Sequence, residues 1–340
     1  MPAPEGGKAL RLVCPAGGLP ALKAAVDAGA DAVYVGFRDQ TNARNFPGLN
    51  FDPEEMRSGL DYAHARGAQV YLALNTYPQP HRWPLWTAAV DRAAELGVDA
   101  VIMADPGLMR YAAREHPGLR LHLSVQGSAT SHEAIALYHE AFGISQAVLP
   151  RVLSLQQVRQ VVASSPVPIE VFAFGSLCIM VEGRCALSSY VTGESPNTCG
   201  VCSPARAVRW EEEGAYRQTR LNGVLIDRFE PGEPAGYPTL CKGRFRVGGR
   251  TGYAIESPTS LNVLDILPDL FAAGVSALKV EGRQRSPAYV AQVTRVLRAA
   301  IDRCLSDPAA YRPEAGWRQA LERVSEGRSH TLGALDRGWQ

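Results

Sequence analysis

Along this chain a helical stretch, a turn holding glycine and a short apolar run recur as one unit. The unit is visible in "DAGADAVYVG" (27–36), "HARGAQVYLALN" (64–75), "ELGVDAVIMAD" (95–105), "AFGISQAVLPR" (141–151) and "AAGVSALKVEG" (272–282). A helix commonly closes on a residue in the left-handed conformation, which glycine adopts without strain. The run that follows is rich in Val, Ile and Leu, as a strand covered on both faces must be. Helix, glycine and strand in this order predict a parallel sheet with helices packed over it.

Eight strands are predicted, at 10–14, 32–36, 69–74, 100–104, 120–124, 146–149, 168–173 and 276–281. Amphipathic or alanine-rich helices separate them at 19–29, 53–67, 84–97, 131–142 and 154–163. Eight units point to an α/β fold of the (β/α)8, TIM-barrel-like type, with an open doubly wound sheet as the alternative. The turn after the first strand, "CPAGGLPAL", has no G-x-G-x-x-G, which weighs against a dinucleotide-binding sheet.

The period breaks once, between the seventh and eighth strands. A helix is predicted at 259–274, and the remainder reads as an insertion with strand-like pieces around 206–210, 222–228 and 244–249. The expected organisation is therefore 1–173 for the first seven strands, 174–258 for the insertion and 259–340 for the last barrel unit and tail. Loops that follow barrel strands build the active face, so the insertion is expected where barrel chemistry occurs.

Composition narrows the class. The 340 residues are 46% hydrophobic, ample for a large core, and 35 basic against 34 acidic residues leave a charge of +1. That balance carries no nucleic-acid footprint. No apolar run is long enough to span a membrane, and "MPAPEGGKALRLVCPAGG" lacks the apolar core of a secretory signal. A cytoplasmic protein is expected, and a reducing compartment disfavours disulfides, as does the odd count of seven cysteines.

Five cysteines fall in the insertion: Cys178, Cys185, Cys199, Cys202 and Cys241. A thioredoxin-like pair would be Cys199-Gly-Val-Cys202, but Pro196, Asn197 and Pro204 make that stretch a loop rather than a strand-to-helix junction. Structural zinc gathers ligands in close pairs, and only one such pair exists. An iron–sulfur cluster needs four thiolates and tolerates irregular spacing. Spacing leaves the metal open. Cys14 and Cys304 read as core residues.

The stretches "EVFAFGSLCIMVEGRCALSSYVTGESPNTCGVCSPAR", "YPTLCKGR" and "ALKVEGRQRSPAYV" resemble the collagenase-like peptidase family, and within it the branch acting in oxygen-independent ubiquinone biosynthesis. The likeness runs from "LVCPAG" to "LGALDRGWQ". Its pattern Cys-x6-Cys-x16-Cys-x38-Cys falls on Cys178, Cys185, Cys202 and Cys241, and implies that these bind a [4Fe-4S] cluster with Cys199 outside the ligand set. The resemblance implies hydroxylation of the aromatic ring of ubiquinone precursors without molecular oxygen, prephenate serving as hydroxyl donor. It also implies a UbiV-like sister protein as heterodimer partner and a lipid-carrier accessory protein. Related members hydroxylate bases in RNA, and a subunit without turnover of its own is a further reading.

A peptidase reading finds little in the residues. "HEAIALYHE" holds His132, Glu133 and His139, but H-E-x-x-H would need histidine where Ala136 stands, and Ser131 before His132 reads as a helix cap. No G-x-S-x-G elbow occurs, and Ser176 has no evident base. Strand ends supply Asn75, Asp105, Gln126, Arg151, Glu281 and Arg283 as polar candidates. Arg151 or Arg283 suits a carboxylate clamp for a dicarboxylic donor, because guanidinium pairs bidentately with carboxylate. Equally, Glu281 and Arg283 suit ion pairs that close the barrel, and Asp105 before Pro106 suits a helix cap. Glu182 and Arg184 lie between the first two cysteines of the pattern. The insertion's arginines, from Arg206 to Arg250, are interspersed with Glu211, Glu212, Glu213, Asp227, Glu230 and Glu233, a mixture typical of a solvated or partner-binding face.

Overall fold

The computed structural model describes residues 10–178, 185–196 and 201–337. Its first seven strands are β1 (Arg11–Pro15), β2 (Ala32–Val35), β3 (Gln69–Leu74), β4 (Ala100–Met103), β5 (Leu121–Leu123), β6 (Ile144–Val148) and β7 (Ile169–Ser176). Each pairs in parallel with the next, and nearly every residue in them is buried, which is why they read as apolar runs. The helices between are α1 (Leu19–Asp27), α2 (Pro53–His64), α3 (Trp83–Leu96), α4 (Pro106–Glu115), α5 (His132–Phe142) and α6 (Leu155–Ser164). Their starts are set by side chains. Asp52 and Ser154 form capping boxes with Glu55 and Gln157, Asp105 accepts from Leu108 N, and Ser131 accepts from Ala134 N. Gly97 and Gly143 end α3 and α5 at φ of 69°, and the chain turns directly into the next strand.

After β7 come the helix α7 (Ala186–Thr192) and a three-stranded antiparallel sheet of β8 (Val208–Glu213), β9 (Tyr216–Leu221) and β10 (Val224–Phe229). The hairpin β11 (Arg244–Val247) and β12 (Arg250–Tyr253) follows. The expected strand pieces are found here, but β9 went unread because its "YRQTRL" carries two arginines and little apolar character.

The predicted helix at 259–274 is corrected. Residues Ser260–Asn262 form β13, antiparallel to the end of β7, and the helix α8 spans only Leu267–Ala272. Pro268 suits a first helical turn and no interior, so it fixes the start, while Asn262 Oδ1 accepts from Leu264 N and bends the chain out of the strand.

The eighth barrel strand is β14 (Ala277–Val280), followed by α9 (Pro287–Ser306) and α10 (Ala315–Glu322). β14 pairs in parallel with both β1 and β7, which closes eight parallel strands into a barrel. The short strand β15 (His330–Thr331) then adds to β13. The main core lies between barrel and helices, with Cys14 and Cys304 buried in it as expected; burial pushes the Cys14 thiol up to about 12. Val13, Ala32, Tyr34, Tyr71, Ala100, Ile102 and Ala277 form a smaller cluster. Among the described residues no helix is long and apolar enough to cross a membrane.

Candidate functional site at the barrel mouth

A cavity of about 120 Å³ opens at the carboxyl ends of the strands. Asn75 after β3, Gln126 after β5, Arg151 after β6, Cys178 after β7 and Glu281 and Arg283 after β14 all line it, together with Cys185 and Cys202. Asp105 does not line it; its carboxylate is spent on the α4 cap.

Arg283 is 4% exposed and its Nη1 donates to Asn42 Oδ1 at 3.0 Å. Among the described residues no carboxylate lies within 4 Å of it, and burial pushes its pKa down to about 10. Gly17 makes the approach possible: a Cβ there would stand 1.9 Å from the carbonyl oxygen of Arg283. Glu281 does not pair with Arg283 but with Arg44, at 3.9 Å. Burial alone would raise the Glu281 carboxyl; Arg44, Arg151 and Arg285 outweigh it and hold the group below its usual range. Arg151 donates to the carbonyl of Ser176 and lies over the Phe172 ring at 4.2 Å. Gln126 is 3% exposed, and its buried Oε1 has no hydrogen-bond partner among the described residues.

Sequence reading missed four polar lining residues: Tyr34, Arg44, Lys279 and Ser124. Lys279 sits inside the apolar run "ALKV", and a lysine between buried strand positions is itself a sign of an interior charge. Arg44 lies on the loop after β2, whose only sequence signal is its position above a strand end.

Of the predicted cysteine ligands, three line the cavity. Cys241 lies in the 3-10 turn Leu240–Lys242, near enough to Cys178 and Cys202 for their charges to act on it; burial pushes its thiol up to about 11. Burial likewise raises Cys202, with Cys185 adding to the effect. Cys185, Cys202 and Cys241 carry unbridged thiols. Among the described residues no three Cys, His, Asp or Glu side chains close round a single metal ion. Cys199, Glu182 and Arg184 lie outside the described residues. The peptidase candidates are spent elsewhere: His132 meets Glu133 at 3.3 Å on α5, and His139 Nδ1 lies 2.8 Å from the carbonyl of Ile144.

The tRNA hydroxylation protein P1 of Bacillus subtilis is 29% identical over 92% of this chain and 68% of its own length. The tRNA hydroxylation protein P of Escherichia coli is 31% identical over 96% of this chain and 74% of its own length. The Helicobacter pylori protein of the same name is 33% identical over 86% of this chain and 64% of its own. This chain thus spans between 64% and 74% of those relatives. The description "peptidase family U32" matches residues 17–335, and the chain belongs to that family.

Proposed function

We propose that the chain is the iron–sulfur component of an oxygen-independent hydroxylase, acting in a UbiU-like role on the aromatic ring of a ubiquinone precursor. The observation that supports it most is the meeting of three cysteines with a buried arginine that pairs with no carboxylate among the described residues, around one cavity at the barrel mouth. Cys178, Cys185, Cys202 and Cys241 would hold a [4Fe-4S] cluster. Four thiols are the right donor set for such a cluster. Bound there, the cluster supplies redox or Lewis-acid chemistry beside the substrate.

The chain's own groups bind and orient. The Arg283 guanidinium, already out of water, pairs bidentately with a carboxylate of the hydroxyl donor, for which prephenate is the candidate, and Arg151 flanks it. Ile102, Val148 and Phe172 offer an apolar wall for the ring, and Gln126 Oε1 accepts a hydrogen bond from a ring hydroxyl. Glu281 stays ionised and keeps Arg44 in place. In this reading a UbiV-like sister chain completes the active unit, and a lipid-carrier accessory protein presents a ring whose greasy tail this barrel does not enclose.

A second reading is hydroxylation of an RNA base, favoured by the names of the relatives. Its weakness is charge. Arg206, Arg217, Arg220, Arg228 and Arg244 are each paired with a carboxylate, which offsets much of the basic charge on that part of the chain. Deleting the gene, growing the cells without oxygen, and measuring quinone intermediates and tRNA nucleosides by mass spectrometry separates the two. A ring precursor lacking one oxygen, with unchanged nucleosides, is expected. Intact quinones with a missing nucleoside hydroxyl would replace the first reading by the second.

A further inference from the structure

We propose that the ion pair between Lys242 and Glu326 positions Cys241 at the barrel mouth by tying its turn to β7, the strand that leads into Cys178. This rests on the reading of Cys241 as a cluster ligand.

Cys241 belongs to a short 3-10 turn in a part of the chain far in sequence from the barrel strands, so something must fix its distance from Cys178. The adjacent Lys242 is 8% exposed and donates through Nζ to Glu326 Oε2. Glu326 N donates to Ser260 Oγ at 2.9 Å, and Ser260 N donates to the carbonyl of Ser329 at 3.1 Å. Ser260 opens β13 and stands in register with Ser176, two residues before Cys178. A continuous path therefore runs from the Cys241 turn through Lys242, Glu326 and Ser260 to the end of β7.

Packing holds the turn to the insertion rather than to the barrel: Leu240 rests on the cluster of Ala207, Val208, Leu221 and Ile226. Lys242 and Glu326 line a cavity of about 360 Å³ together with Thr219, Phe229, Tyr237, Gly327 and Ser329. Across that cavity a directional contact sets the spacing, and with Lys242 buried and Glu326 half-buried, loss of the carboxylate leaves the ammonium without its counter-charge. Glu256 N also donates to the carbonyl of Cys241 at 3.0 Å, a local bond that does not reach the barrel.

The test compares the wild-type chain with Glu326→Gln and with the double variant Lys242→Met/Glu326→Met, all purified without oxygen. The double variant leaves no buried charge unpaired, so it keeps the fold decisive if the single variant does not fold. Iron retention against a chelator is expected to fall roughly tenfold, as for loss of a group supporting a metal ligand. In the iron-free proteins Cys241 should alkylate several-fold faster, with the core thiols Cys14 and Cys304 still protected. Unchanged Cys241 alkylation in the double variant overturns the proposal, whatever happens to iron, and so does exposure of Cys14 together with Cys241. A wild-type chain that never holds iron defeats the cluster reading instead, while the alkylation comparison still decides the tie.

Discussion

Lys279 Nζ donates to Glu170 Oε1 at 2.6 Å inside the barrel, across the seam where β14 closes against β7. Both side chains are nearly free of solvent contact, and Glu170 also accepts from Gln146 Nε2, whose Oε1 in turn accepts from Arg11 at 2.6 Å. Removing one partner of such a pair strands a charge, while removing both relieves two desolvation penalties. Glu170→Leu should therefore cost about 3–5 kcal/mol, and Lys279→Met added to it should return most of that loss. Urea unfolding of the three proteins checks this; a Glu170→Leu chain as stable as wild type would remove the argument.

Arg283 is expected to act through geometry more than charge. Arg283→Lys keeps a cation but loses the planar fork, so affinity for a dicarboxylate such as prephenate should fall roughly tenfold or more. Calorimetric titration under anaerobic conditions measures it. Equal binding by both proteins would move the anion site elsewhere on the mouth.

The cluster assignment predicts a pattern among the cysteines. Alanine at Cys178, Cys185, Cys202 or Cys241 should each abolish the brown colour and the bound iron and sulfide of an oxygen-free preparation, because a cubane wants four thiolates. Alanine at Cys199 should leave both. Bleaching by Cys199→Ala, with Cys202→Ala still coloured, would mean that the close pair has been assigned in reverse.

The barrel was legible because its strands are buried on both faces and its helices end on glycine, which are local signals repeated along the chain. Ser260–Asn262 was misread for the opposite reason. Its strand state comes from pairing with Ser176 and Phe174, distant in sequence, while its own apolar spacing continues into a true helix. At the site, the cysteines and Arg283 stood out by type and motif. Lys279 and Arg44 did not, since what gives them importance is a buried glutamate in each case, Glu170 and Glu281, brought in by another strand.

His122, on β5, yields a dependence on pH. It is 3% exposed, its ring meets Tyr71 edge-on at 4.7 Å, and its Nδ1 has no hydrogen-bond partner. Burial first, then the charges of Lys279, Arg120 and Arg11, push its pKa down from 6.5 to about 3. Between those values the unfolded chain takes up a proton at this histidine and the folded chain does not, so acid favours unfolding. Its contribution is complete above the unfolded value and is lost as pH falls toward 3. At about 1.4 kcal/mol for each pH unit, the loss from this group between pH 7 and pH 5 is about 2 kcal/mol. His122→Phe keeps an aromatic ring against Tyr71 and cannot titrate, so its stability should fall less over the same interval by about that amount. Urea midpoints of both proteins at pH 7 and pH 5 give the answer. If the two lose stability equally, His122 is charged inside the barrel and its isolation from acceptors has been misjudged.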